Sequence, residues 1–206
     1  MSTIAEAKLD AVTDDQLARR NALVLALAQA LAGANNIVIV GTVGILGGTF
    51  AGDKTLATVP VSTFVLGMWA GTLPVGALAK RFGRRTAYLI GAACGALAGL
   101  ILALAVFRAS FELLCVGAVF GGFYASAHQS YRFAAADTAS DAFKPKAISW
   151  VLAGGVLAGA FGPQLVMFTQ DLWPPYLFAA SYLTQTAVAV VAAGVLTLVR
   201  IPKPIR

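Results

Sequence analysis

The stretch G-A-L-A-K-R-F-G-R-R-T, residues 76–86, decides how this chain is read. It holds four cations in six residues, Lys80, Arg81, Arg84 and Arg85, and apolar runs flank it on both sides. Two apolar helices joined by so short and so basic a turn fit a membrane hairpin, held on the cytoplasmic face by the excess of Lys and Arg found there. Gly83 lets such a turn adopt positive φ, and Gly76 is expected to allow close helix approach.

Composition agrees with a membrane setting. The 206 residues are 59% hydrophobic and only 12% charged, with a mean hydropathy of +0.80. Ordinary globular domains are about a quarter charged, and a soluble domain of this size has too little interior to hide so much apolar surface. The net charge of +6 sits at the ends of apolar runs, so topology and anionic lipid head groups explain it better than nucleic acid does. Cys94 and Cys115 lie inside apolar runs, form no C-x-x-C pair, and read as packing residues without a disulfide or metal role. The first 21 residues are polar, with Glu6, Asp10, Asp14 and Asp15, so no secretory signal peptide is expected there.

Taken in order, residues 1–21 form a polar, partly amphipathic cytoplasmic lead-in. Six spans follow at about 22–50, 58–79, 86–107, 111–136, 147–169 and 176–199, each long enough to cross a hydrocarbon core of about 30 Å. The first is interrupted by Gly33, Asn35-Asn36 and four later glycines, and the second contains Pro74. In the third, Gly91, Gly95 and Gly99 make overlapping G-x-x-x-G patterns that let backbones approach. Residues 200–206 read as the start of a cytoplasmic linker or tail. Lys8, Arg19, Arg20, the four cations of the turn, Lys144, Lys146, Arg200, Lys203 and Arg206 fall on one side, against Lys54 and Arg108 on the other. That asymmetry places both termini in the cytoplasm.

A six-span chain whose second and third spans meet at G-x-x-x-[DK]-R-x-G-R-R resembles the major facilitator superfamily of secondary transporters. Gly76, Leu78, Arg81, Gly83, Arg84 and Arg85 match its loop, while Lys80 stands where an acid is usual. Gly159-Ala160-Phe161-Gly162-Pro163 looks like the Gly-Pro signature of the family's fifth helix, with Ala158 at a position often held by Gly. An Arg common in the fourth helix is replaced by Gly117 when Gly121 is aligned. The resemblance implies an all-α integral membrane protein, with six transmembrane helices as two three-helix repeats, forming the amino-terminal half of a major facilitator fold. It implies a second six-helix half as partner, either another chain or a homodimer mate. The stretches from Tyr131 and from Phe143 further resemble a bacterial subgroup linked to riboflavin or copper uptake, which does not by itself fix a substrate.

Candidate site residues fall into three groups. In the turn, Arg84 or Arg85 would pair with Asp137 or Asp141 at the cytoplasmic end of the fourth span, as a latch opened when the halves rock. Gly76, Arg81 and Gly83 complete this gating set, and plain topology is the competing account of its charge. His128 and Arg132, at i and i+4 with Tyr124 one turn earlier, are expected on one helix face. An ionised side chain within a span costs roughly 2.5–3.5 kcal/mol. Arg132 therefore either attracts a polar or anionic substrate beside a hydrogen-bonding or proton-carrying His128, or snorkels to the interface and pairs with Asp137. Of Asn35 and Asn36, one is expected to line a cavity and the other to bond a neighbouring helix; Gln164 is a further polar candidate. Gly159, Gly162 and Pro163 are read as helix-packing and kinking positions.

Enzyme signatures are absent: there is one His, no H-E-x-x-H, no G-x-S-x-G and no P-loop. No cofactor, no metal and no nucleic-acid partner is expected. The expected activity is secondary transport of a small molecule or ion by alternating access in a bacterial inner membrane. A membrane partner or assembly factor that retains the half-fold without transporting is the alternative.

Overall fold

The structure, a computed structural model, describes residues 2–200, residues 2–14 by their helical backbone alone. The expected linker from 201 onward lies outside the described residues. Within them, every regular element is a helix. The first, α1 (Ser2–Phe50), is unbroken, so the polar lead-in is the first stretch of the same helix that enters the apolar region. The reason is local: residues 2–21 are rich in Ala, Leu, Glu, Lys, Gln and Arg and contain neither Gly nor Pro. Neither Asn35-Asn36 nor the glycines further on interrupt it.

A short 3₁₀ turn at Lys54–Leu56 follows, opened by Asp53, whose carboxylate accepts from the Thr55 amide at 2.9 Å. Helix α2 (Val59–Phe82) begins with Pro60 in its first turn, where a missing N–H costs nothing. It ends at Gly83, whose φ of 90° lies in the region that favours glycine, and α3 (Arg84–Arg108) starts at the next residue. The Ser110 hydroxyl caps α4 (Phe111–Gln129), accepting from Leu113 at 3.2 Å. Ser130 then separates α4 from α5 (Tyr131–Asp137), and α6 (Lys144–Thr169) and α7 (Ala179–Thr197) complete the chain. Six of these stretches, α4 and α5 counting as one, are long and apolar enough to cross a membrane.

The helices pair in a symmetric scheme: α1 packs mainly on α6, α2 on α4, and α3 on α4 and α7. Exchanging the first three spans for the last three turns the α1–α6 pair into the α4–α2 pair, as two three-helix repeats require. Lipid tails supply no hydrophobic drive between helices, so small residues at the seams decide how closely they sit. A Cβ added at Gly33 would lie 2.7 Å from that of Ala158, and one at Gly117 would lie 2.7 Å from Leu102 Cγ. Gly91, Gly95 and Gly99 meet Ala127, Tyr124 and Thr186 in the same manner.

At the basic end, α1, α5 and the chain beyond α7 are tied together. Asn21, fully buried, donates to the Arg200 carbonyl at 2.8 Å and accepts from the Arg200 amide at 3.1 Å. Its amide also lies 3.5 Å from the Thr138 hydroxyl, and Asp15 accepts from the Ser140 amide at 3.2 Å.

Candidate functional site

The turn at Gly83 aims Arg84 back across the bundle. Its guanidinium forms an ion pair with Asp137, the last residue of α5, so the pair joins the third helix of one repeat to the end of the first span of the other. Both side chains are partly exposed, which limits such a pair to about 0–1 kcal/mol. Arg85 and Arg81 are exposed, and Arg81 lies over the Phe82 ring at 5.2 Å. Asp141 is engaged elsewhere: Lys144 binds its carboxylate at 2.7 Å and holds it below the usual carboxylate range.

Gly76 does not do what its spacing suggests. It is exposed, and a Cβ built there meets nothing within 4 Å. The buried row of α2 runs through Gly67, Gly71 and Val75, the two glycines against α4, and Gly76 lies about 100° round the helix from the last of these.

His128 and Arg132 part company. The helix stops at Ser130, whose hydroxyl bonds back to the Ala127 carbonyl at 2.7 Å, and restarts at Tyr131. Facing residues four apart need an uninterrupted helix, and this break removes it. His128 points inward, 5% exposed, with Nδ1 3.4 Å from the Gln29 amide nitrogen on α1. Around it stand Tyr124 and Tyr131 with ring centroids at 6.0 and 6.3 Å, and Tyr88 contacts Tyr131 at 4.7 Å. Four buried polar atoms here have no protein partner among the described residues: Gln29 Oε1, Tyr124 Oη, His128 Nε2 and Tyr131 Oη. Buried polar groups are normally satisfied, so these four atoms mark the cluster as a candidate polar site.

Arg132 turns the other way, toward α2. Its guanidinium lies 5.0 Å from the Phe133 ring centre and lines an open groove of about 450 Å³ between α2 and the α4–α5 span. Trp69 and Thr72 on α2 face Ser126, Gln129 and Phe133 across it. Gln129 donates to the Met68 sulfur at 3.0 Å.

The asparagines divide their tasks. Asn35, fully buried, donates to the Gln185 carbonyl of α7 at 3.2 Å, while Asn36 is half-buried with its Oδ1 unpartnered among the described residues. Gln164 and Pro163 are exposed on α6 and do not join the other polar candidates. Gly162 packs against α1, where a Cβ would come within 2.9 Å of Ile37 Cβ. Gly159 does not pack within this chain: it is exposed and open. The buried row of α6 is Gly154, Ala158, Gly162, four residues apart, so Ala158 takes the seam position that Gly159 was expected to hold.

Gln29, Trp69, Thr72 and Gln129 are further candidates that spacing alone misses. Gln29 and Trp69 sit singly in apolar runs, and what groups them with α4 and α5 is the register of one helix on another.

Comparison with known proteins matches this geometry to a family. The model described as Major Facilitator Superfamily matches residues 25–206. The chain is 46% identical over 192 residues to Riboflavin transporter RfnT of Brucella anthropi, covering 93% of this chain and 48% of that protein. It is 26% identical to two proteins of Bacillus subtilis, the uncharacterized MFS-type transporters YddS and YdeG, covering 93% and 92% of this chain. It thus spans about half the length of the curated relatives it matches. Six spans paired in two repeats, a glycine-hinged basic turn and a match running from α1 to the end of the chain lead to one conclusion: the chain belongs to the Major Facilitator Superfamily.

Proposed function

We propose that the chain is one six-helix half of a secondary transporter that moves a small solute by alternating access, and that the solute is riboflavin. The observation that carries the reading is the 46% identity to a riboflavin transporter across 93% of the chain. The fold supports the need for a second half. Spans α2 and α6 bury only 22% of their apolar windows, against 39–56% for the others. Each presents one open glycine, Gly76 or Gly159, and an exposed proline inside the helix. Residues Asn36, Tyr124, His128 and Arg132 would contribute to the solute pathway, with Asn35 holding α1 to α7 behind them.

In this reading the Arg84–Asp137 pair is a latch at the cytoplasmic side of a bacterial inner membrane, with both termini on that side. A latch of about 0–1 kcal/mol opens under modest solute or ion binding. The test is riboflavin uptake by flavin-auxotrophic bacteria making the chain, alone and together with the half of RfnT that it does not match. Uptake in either case is the expected result. Correct membrane insertion with no uptake in both would sink the reading and favour a membrane partner that does not transport.

A further inference from the structure

We propose that the groove between α2 and the α4–α5 span is the seat of the flat ring of a flavin-type solute, with Trp69 stacking on the ring face and Arg132 and Gln129 bonding its polar edge. This rests on the flavin reading above. Depth is the first argument. Trp69 is ten residues from Val59 and thirteen from Phe82 on α2, so at 1.5 Å per residue it lies about 15 and 20 Å from the helix ends, near mid-membrane. A lipid head group does not reach that level, and polar side chains there are costly unless they face a cavity or a partner.

Chemistry is the second argument. Trp69 is 75% exposed although it sits at the middle of a span, and an indole presents a large flat face for stacking. The Arg132 guanidinium lies over Phe133 and has no hydrogen-bond partner among the described residues, so its in-plane N–H groups suit carbonyl or ring-nitrogen acceptors. Gln129 spends its amide on the Met68 thioether, a weak acceptor that a carbonyl of the solute readily displaces. Thr72 and Ser126 also line the groove, although both hydroxyls already bond back to their own helix. Size is the third: about 450 Å³ falls within the roughly 300–1,000 Å³ of small-molecule sites. The inward His128 cluster lies on the other side of the same span, so the ring seat and the buried polar cluster are distinct.

The experiment uses the same uptake assay and adds competitors. Trp69→Ala is expected to raise the KM for riboflavin about tenfold, the scale of losing one ring–aromatic stack, and Gln129→Ala to raise it less. Val191→Ala on the outer face of α7 controls for insertion and leaves KM unchanged. Trp69→Phe keeps a stacking ring, so it retains uptake but loses most of the flavin-dependent quenching of tryptophan fluorescence. Lumichrome, the ring system without its chain, is expected to compete, and ribitol is not. If unsubstituted protein takes up riboflavin while Trp69→Ala and Gln129→Ala keep its KM, or if ribitol competes and lumichrome does not, the ring seat is wrong and the transport reading stands. No riboflavin uptake by the unsubstituted protein overturns both.

Discussion

Helices α2 and α6 each carry two glycines five residues apart, one closed and one open. Gly71 has Phe123 Cα 3.2 Å from where its Cβ would be, and Gly154 has Ala26 Cα at the same distance. Gly76 and Gly159 have nothing within 4 Å. Five residues carry a helix about 140° past a full turn, so each pair marks two faces: one sealed against this bundle, one left bare. A glycine in a lipid-embedded helix says that something comes close. It does not say whether that something belongs to the same chain.

The largest expected effect separates the two members of one pair. Gly154→Leu drives a side chain into the backbone of α1 and should cost about 3 kcal/mol or more, read as loss of a cooperative melt in detergent. Gly159→Leu should leave that melt within about 0.5 kcal/mol yet depress uptake when the second half is present. If both variants melt alike, the distinction between sealed and bare faces fails. Gly71→Leu and Gly76→Leu repeat the comparison on α2 with the same expected split.

A smaller contrast lies within the fourth span. His128→Ala removes a buried ring between Gln29, Tyr124 and Tyr131 and should destabilise the bundle by about 1–3 kcal/mol. Arg132→Ala should leave the melting temperature in place and weaken solute affinity. A large stability loss from Arg132→Ala would mean that it serves the bundle and does not serve the groove. The smallest effect belongs to the basic end: a double-mutant cycle on Arg84→Ala and Asp137→Ala should give a coupling of about 0–1 kcal/mol. The same cycle on Arg85 and Asp141, which lie apart, should give none.

Much of this was legible in the residues because a bilayer restricts backbone choices so strongly. Long apolar runs became helices, and the basic turn became a one-residue joint at Gly83. What was not legible depends on register. The i, i+4 spacing of His128 and Arg132 promised a shared face, but Ser130 is no helix breaker in composition, and only its backbone N–H, bonded to the Ala127 carbonyl three residues back, reveals the stop. Gly159 looked like the packing glycine, whereas Ala158 is small enough for the seam. Trp69 carried no signal until α2 was laid beside α4 and the α2–α5 groove came into view.

The reciprocal bonds between Asn21 and the Arg200 backbone have a mechanical consequence. They tie the chain leaving α7 to the side of α1, and Thr138, the residue after α5, lies 3.5 Å from the same Asn21 amide. A pull arriving through Arg200 is therefore not borne by α7 alone. It is shared with α1 through both Asn21 bonds, and the Asn21 amide sets Thr138, just past α5, beside the same joint.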